Sequence, residues 1–168
     1  HIKSPIHTFP LQAMVSQPFK PFINPLVSSS ALHCYVQQTS RGEIVFGGGS
    51  DPYPLYNTRS TLDLKESLLA HAIEMFPFMA NVKLMRQWAG MTDMTPDYSP
   101  IMGKSPYDNY YLDAGWGTWG FKSTPICGKT MAELVATGRT PDLIKPFELS
   151  RFSRFQQVNE MGATAASH

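Results

Sequence analysis

Residues 115–122 read GWGTWGFK and hold the residue types in this chain that are best suited to chemistry. The spacing G-x-G-x-x-G is that of a dinucleotide-binding turn, which needs a strand before it, a helix opening within it and further strand–helix units after it. The sequence predicts only the strand, at residues 109–114, because Pro125 delays the next helix. Glycine lets a backbone pass close to a flat ligand. We therefore interpret this segment as a loop that closes a large cofactor site, with the ammonium of Lys122 beside it.

The length and composition of the chain predict a soluble globular protein. Its 168 residues suffice for one domain with a real core. A net charge of +1 with 16% charged residues gives no basic patch for nucleic acid, and no run of about 18 apolar residues marks a membrane span. Cys34 and Cys127 lack CxxC spacing and no signal-peptide pattern is present, so we expect a reducing cytoplasm rather than a disulfide, and no metal site.

The hydrophobic pattern predicts an α+β fold that begins with three strands of one antiparallel sheet. The first strand covers residues 8–16, and its apolar side chains share one face: Phe9, Leu11, Ala13 and Val15. The other two strands, residues 31–38 and 43–48, are joined by a hairpin signal at residues 39–42.

Two helices and three more strands follow in the predicted order. Ser60 and Asp63 form a capping-box pattern that opens a helix ending before Pro77, and this helix is expected to cover one face of the sheet. Its apolar residues recur at helical spacing: Leu64, Leu68, Ala72, Ile73 and Phe76. The later elements are strands at 83–89 and 100–103, a buried strand at 110–114, a helix at 129–137 ended by Gly138, and a tail at 150–168 that lies on a surface.

Five stretches of the chain occur in the order typical of one flavoprotein family. They read IHTFPLQA (6–13), HCYV (33–36), RQWAG with TPDYSP (86–90 and 95–100), GWGT with GFK (115–118 and 120–122), and GATAASH (162–168). On these stretches the chain resembles the C-terminal part of the β subunit of heterotetrameric sarcosine oxidase, within the D-amino-acid-oxidase-like, FAD-dependent family. The glycine-lysine block is shared by the wider amine-oxidising family, whereas the tail and the block at 86–100 point to this β subunit.

The resemblance implies a fold class and a domain organisation. The fold would be α+β, with the mixed, largely antiparallel sheet of a flavoprotein substrate-binding domain flanked by helices. Residues 1–104 would form a portion of that domain, and residues 105–168 the C-terminal strand, glycine-rich flavin loop, helix and tail that complete an FAD domain. The first residue, His1, opens what reads as mid-domain strand, so we expect the Rossmann fingerprint and the histidine that carries FMN covalently to lie upstream.

The resemblance also implies a reaction, cofactors and partners. Sarcosine, or a related N-methyl amino acid, would be oxidised to glycine and formaldehyde. FAD would accept the hydride equivalent, FMN would pass electrons to oxygen, and tetrahydrofolate on a partner sarcosine oxidase subunit would capture the one-carbon unit. Carried over residue by residue, Gly117, Gly120 and Lys122 contact FAD, and Lys122 also holds the substrate carboxylate. His33 and Arg86 would lie near FMN at the subunit interface.

Each of these residues also has a structural interpretation. Lys122 suits a carboxylate but is equally described as a surface lysine, and His33 as a satisfied core histidine. Arg86 could pair with a phosphate or with a carboxylate such as Glu74. Trp116 and Trp119 suit packing as well as flavin stacking. Trp119 also stands where the family has a small residue, so the cavity beside the substrate is expected to be narrower.

Two alternative functions remain open at this point. One is a related FAD-dependent amine dehydrogenase, such as a dimethylglycine-type enzyme, with the same loop but a protein as electron acceptor. The other is a non-catalytic module that docks partner subunits. A flavin spectrum in the purified complex separates enzyme from docking module, and oxygen uptake with sarcosine separates oxidase from dehydrogenase.

We expect residues 1–168, purified without the upstream half, to retain no stoichiometric flavin. In this family the upstream strand–turn–helix, with its free amides and helix dipole, holds the FAD pyrophosphate. The flavin absorbance band of the purified chain measures this. Stoichiometric FAD on the chain alone would contradict both the prediction and the division of the site into two parts.

Overall fold

The computed structural model describes residues 2–158 and divides them into two compact units. One unit comprises residues 9–91, and the other comprises residues 2–8 together with 92–158. Each unit has its own hydrophobic core. The predicted boundary after residue 104 was drawn from the relation to an FAD domain and stays a prediction.

The unit of residues 9–91 is built on a five-stranded sheet with strand order β2-β3-β4-β1-β5. The strands are β1 (His7–Pro18), β2 (Val27–Ser29), β3 (Cys34–Gln38), β4 (Glu43–Ser50) and β5 (Leu84–Met94). The predicted antiparallel hairpin of β3 and β4 and its pairing with β1 are confirmed. The short strand β2 was missed because three residues are too few to show an alternation.

The alternation of apolar residues predicted the wrong buried face for β1. The face that is most buried consists of Thr8, Pro10, Gln12, Met14 and Ser16. Met14 packs into the core with Leu68 and Ala72. Polar side chains tolerate this burial because each finds hydrogen-bond partners. Of the four residues on the apolar face, only Ala13 is buried, and the other three are half-buried.

Helix α1 (Leu62–Met75) is confirmed and packs on β3 and β4, but the capping-box prediction is wrong. The N-cap is Thr61, and no side chain caps the helix locally. The Thr61 hydroxyl instead donates to Asp51 Oδ1 at 2.7 Å, while the Thr61 amide donates to Gln12 Oε1 at 3.0 Å. Gln12 Nε2 donates in turn to Asp51 Oδ2 at 2.8 Å, so residues far apart in the chain set the start of this helix.

The unit of residues 2–8 and 92–158 holds the other elements. They are the antiparallel strands β6 (Ile101–Lys104) and β7 (Tyr111–Ala114), helix α2 (Gly120–Thr137), and 3-10 helices at Asp142–Phe147 and Leu149–Arg151. Strand β7 was predicted to be buried, and this is wrong for the described residues, where it is half-buried to exposed. The core of this unit is formed by Met102, Cys127, Leu134 and Ile144. Of the tail at 150–168, residues 150–158 are described, and the expectation that it lies on a surface is wrong at Arg151, which is buried. The tail stretch 162–168 lies outside the described residues.

Helix α2 begins nine residues earlier than predicted, at Gly120 rather than Lys129, and it contains Pro125 and Cys127. A proline inside a helix removes one ladder hydrogen bond and crowds the carbonyl of the preceding turn. Here that carbonyl belongs to Phe121, which is 95% exposed. The helix continues through Pro125 because the burial of Cys127 and Leu134 stabilises it by more than the proline costs. Gly138 ends it in the left-handed conformation, with φ 68°, as predicted.

Both thiols are free and buried. Burial raises the pKa of the Cys34 thiol to about 11, and burial followed by the charge of Asp113 raises the pKa of Cys127. Across residues 2–158, none of the helices carries an apolar stretch long enough to cross a membrane.

We predict that Gln12→Leu lowers the free energy of unfolding. Leucine leaves the Thr61 amide, the Asp51 carboxylate and the Gln87 side-chain amide each short of a partner. A buried group left unpaired costs about 1 to 3 kcal/mol. Urea unfolding followed by circular dichroism measures this, with Gln37→Leu as the control because Gln37 is exposed on β3. Equal midpoints for the two variants would contradict the prediction.

Candidate functional site

The glycine loop of residues 115–117 needs its glycines because of its backbone conformation and its contacts within this chain. Gly115 and Gly117 have φ of 72° and 53°, in the left-handed region. A Cβ on Gly115 would stand 2.6 Å from Thr95 Cγ2, and one on Gly117 would stand 2.8 Å from Met94 Sδ. Any side chain at these positions is therefore strained without a ligand being present. The prediction that Gly117 and Gly120 contact FAD is not tested by this geometry and stays a prediction.

The end of β5 and the residue after it support this loop. The amide of Gly117 donates to the carbonyl of Asp93 at 2.8 Å, and Met94 forms an antiparallel bridge with Trp116. The Trp119 amide then donates to the Trp116 carbonyl at 3.0 Å, which turns the chain into α2. A helix thus begins at Gly120, the third glycine of the motif, whereas the sequence predicted a later start.

Lys122 lies in the first turn of α2 and is exposed. Its Nζ stands 5.3 Å from the centroid of the Trp119 ring. Among residues 2–158 no carboxylate lies within 4.0 Å of this ammonium, and the first turn of α2 has no acidic residue. The N-terminus of a helix carries partial positive charge and free amides, which disfavour a cation and favour an anion. Lysine and helix end together make an electropositive spot suited to a carboxylate or to the electron-rich edge of a flavin.

A cavity of about 250 Å³ adjoins the loop. Trp116 and Trp119 line it together with residues 98–100 and the inner face of α2. The Trp116 indole N–H donates to Asp113 Oδ1 at 2.6 Å. Trp119 is 37% exposed, and its ring faces the Lys122 ammonium. These contacts do not test whether the two rings stack on a flavin, which stays a prediction.

His33 and Arg86 lie in the unit of residues 9–91, whereas Gly117, Gly120 and Lys122 lie in the other unit. His33 was read as a residue within a strand, but it occupies the turn before β3, with φ 45°, and is half-buried. Arg86 is exposed on β5. No ion pair joins Arg86 to Glu74 among the described residues, so that alternative is wrong for this part of the chain. The nearness of His33 and Arg86 to FMN stays a prediction.

A buried ion pair between Asp97 and Arg151 lies below the loop and was missed by the sequence analysis. Arg151 Nε donates to Asp97 Oδ2 at 2.8 Å and Nη2 donates to Oδ1 at 2.9 Å, with side-chain exposures of 3% and 2%. Nη2 also donates to the Ser99 carbonyl at 2.7 Å, and Nη1 to the Phe147 carbonyl at 2.8 Å. The only signal in the sequence was the acidic residue of the TPDYSP stretch, which does not identify its partner.

The ion pair keeps the Asp97 carboxylate charged. Burial acts to raise the pKa of Asp97, but the hydrogen bonds from Arg151 and from the Val158 amide outweigh it and hold the pKa below the ordinary value of 3.8. A carboxylate with these partners stabilises the folded state only while it is ionised.

Comparison with known proteins decides the family. The model of the DAO family, described as FAD dependent oxidoreductase, matches residues 2–134. The chain belongs to this family. Its resemblance to sarcosine oxidase subunit beta is also confirmed, with 42% identity to that protein of Arthrobacter sp and 43% to that of Rhodobacter capsulatus, each over 98% of this chain. The chain spans about two fifths of the length of these relatives.

Solved structures agree on the fold. L-proline dehydrogenase from P. horikoshii superposes with a TM-score of 0.86 at 31% identity, over 93% of this chain and 42% of that one. Glycine oxidase from Geobacillus kaustophilus superposes with a TM-score of 0.78 at 22% identity, over 88% of this chain and 40% of that one. The predicted α+β class with a largely antiparallel sheet is confirmed.

The residues present fit the FAD that the family implies. The start of α2 offers amides without intrahelical acceptors and a positive helix end, with Lys122 beside them. Within residues 2–158 no group of three or more His, Cys, Asp or Glu side chains is arranged to hold a metal ion.

We predict that Asp97→Asn lowers the free energy of unfolding at neutral pH and flattens its dependence on acid. The folded pKa lies below the unfolded value of about 3.9, so the wild-type contribution is present above that pH and lost as the pH falls through the folded pKa. Removing one partner of a buried pair costs about 3 to 5 kcal/mol. Urea unfolding from about pH 7 to about pH 2 measures this.

The matched control is Asp142→Asn, because Asp142 pairs with Lys145 on the surface. Exposed pairs contribute little to stability, so this variant should follow the wild-type curve. Parallel curves for wild type and Asp97→Asn across the acid range would refute the assignment.

Proposed function

We propose that this chain is part of a flavin-dependent amine oxidase that converts sarcosine, or a related N-methyl amino acid, to glycine and formaldehyde. Support comes from the identity of 42% and 43% to sarcosine oxidase beta subunits along nearly the whole chain. The proposal extends to a complex of several sarcosine oxidase subunits, since those relatives are named as one subunit of an enzyme.

The observation that carries the proposal is the position of Lys122. Its ammonium lies in the first turn of α2, where the helix end is also positive, and none of the described residues supplies a carboxylate to it. An amino acid substrate brings a carboxylate. Binding that carboxylate relieves the repulsion between lysine and helix end and gains a charge-assisted hydrogen bond.

In this proposal the protein residues orient the substrate rather than transform it. When bound, FAD supplies the acceptor for the hydride equivalent that leaves the N-methyl group. Lys122 holds the carboxylate, and this fixes the direction in which the amine points. Gly117 and Gly120 keep the loop narrow beside the cofactor, and the free amides at the start of α2 donate to it.

The proposal assigns a second cofactor and further partners to the complex. FMN would be held near His33 and Arg86, and it would supply the electrons that reduce oxygen. The exposed guanidinium of Arg86 suits a phosphate. Tetrahydrofolate on a partner subunit captures the one-carbon unit, and the heterotetramer works in the cytoplasm.

A second candidate is an amine dehydrogenase that passes electrons to a protein instead of oxygen. Its support is the identity of 31% to L-proline dehydrogenase, together with the TM-score of 0.86. Oxygen uptake with sarcosine by the assembled enzyme distinguishes the two. Turnover only with an added artificial acceptor favours the dehydrogenase.

We predict that Lys122→Met in the assembled enzyme weakens substrate affinity much more than flavin content. Loss of a charge-assisted contact costs about 1.5 to 3 kcal/mol, roughly tenfold or more in affinity. Steady-state kinetics with sarcosine and flavin absorbance per subunit measure the two effects. Lys129→Met is the control, because Lys129 is an exposed lysine of the same helix. An unchanged apparent affinity in Lys122→Met would rule out the carboxylate role.

A further inference from the structure

Three consecutive residues, 93–95, form a cradle for three consecutive residues of the glycine loop, 115–117. The carbonyl of Asp93 accepts the Gly117 amide at 2.8 Å. The backbone of Met94 bridges that of Trp116. The methyl group of Thr95 lies directly under Gly115, where an added Cβ would meet it at 2.6 Å. The loop thus takes its position from this cradle.

Thr95 is the member of the cradle that a distant residue controls. Its hydroxyl is buried and donates toward Asp97 Oδ1 at 3.1 Å and the Ser99 carbonyl at 2.7 Å. A threonine side chain has one torsion angle, so fixing the hydroxyl also fixes the direction of the methyl group. The hydrogen bonds on one side therefore hold the methyl against Gly115 on the other.

The acceptors of that hydroxyl are themselves held by Arg151. The guanidinium bonds Asp97 through two nitrogens and bonds the Ser99 carbonyl through Nη2. Its other hydrogen bonds run to the carbonyls of Phe147, which ends the first of the two 3-10 helices, and of Glu148, which lies between them. A planar, bidentate pair out of water has little freedom to tilt. The position of Thr95 therefore depends on a segment that lies more than fifty residues away in the chain.

We propose that Arg151 and Asp97 are positioning residues for the electropositive start of α2, acting through Thr95 on the glycine loop. The loop leads through the Trp116–Trp119 turn into the first turn of α2, which carries Lys122. Both side chains are buried, with exposures of 3% and 2%, so in this proposal they act through Thr95 and not by contact with substrate or cofactor. The inference rests on the proposed function, because it assigns the loop's geometry to the binding of a carboxylate by Lys122.

The first test measures loop order without any chemistry. Thr95→Ser keeps the hydroxyl and removes the methyl under Gly115, whereas Thr95→Val keeps the methyl and removes the hydroxyl. In the assembled flavoprotein, hydrogen exchange of the Gly117 and Trp119 amides, which donate to the carbonyls of Asp93 and Trp116, should become roughly tenfold faster in both variants. Thr137→Ser is the control, because Thr137 is an exposed threonine in the last turn of α2. Unchanged exchange in both Thr95 variants overturns the proposal.

The second test is a double-mutant cycle with Lys122→Met. The probe is acetate, whose binding is followed by the change in flavin absorbance. Thr95→Ser alone should weaken acetate binding by a few-fold to roughly tenfold, no more than Lys122→Met itself, because a displaced ammonium loses at most the contact that its removal loses. In the Lys122→Met background the same change should alter the affinity by less than about twofold, because the group being positioned is gone. Independent, additive effects overturn the proposal.

The two proposals can fail separately. If Lys122→Met alone leaves acetate affinity unchanged, the carboxylate role of Lys122 fails, and hydrogen exchange in the Thr95 variants then decides the positioning proposal. If Lys122→Met weakens acetate binding but Thr95→Ser does not, only the positioning proposal fails. Arg151→Lys keeps the charge and loses the bidentate geometry, and where it folds it should match Thr95→Ser. The Thr95 variants keep the buried ion pair, so the test does not depend on folding of the arginine variant.

Discussion

The buried ion pair of Asp97 and Arg151 is the constraint on which the candidate site depends. Two opposite charges removed from water must satisfy each other and their remaining hydrogen-bonding groups, or the fold loses more than it gains. Here the guanidinium reaches Asp97 and the carbonyls of Ser99 and Phe147, while the carboxylate also accepts the Val158 amide. Segments distant in the chain are thereby held at one point, next to the residues that support the glycine loop.

The unit of residues 9–91 solves a similar problem without a charge pair. Gln12 uses both ends of its amide, accepting from the Thr61 backbone and donating to Asp51, and so joins a strand, a loop and the start of α1. The buried Asp51 carboxylate is balanced here by neutral donors, the Gln12 amide and the Thr61 hydroxyl, because a buried charged group needs hydrogen-bond partners. Neither α1 nor α2 has a local side-chain cap, and the start of α1 is held by buried polar groups from elsewhere in the chain.

This use of distant groups explains which sequence predictions failed. The capping box at Ser60 was wrong because the Thr61 hydroxyl is taken by Asp51. The predicted start of α2 was too late. Proline disfavours a helix by removing one backbone hydrogen bond, but the packing of Cys127 and Leu134 in the core of this unit outweighs that local cost. The hairpin of β3 and β4 was predicted correctly, because it depends on only a few neighbouring residues. The apolar stripe of α1 was correct at the buried Leu68 and Ala72 but wrong at Ile73, which is exposed.

The sequence by itself determined the fold class, the hairpin, the glycine-lysine loop with Lys122 and membership of a flavoprotein family. The fold class, the hairpin and the loop follow from residue type and short-range spacing, whereas family membership follows from the resemblance of five stretches to one flavoprotein family. Only the tertiary structure decided which face of β1 is buried, that α2 opens at Gly120, and that Arg151 pairs with Asp97. Arg151 and Asp97 are 54 residues apart. The physical reason is that burial and ion pairing depend on which distant segments meet, and neither periodicity nor propensity carries that information.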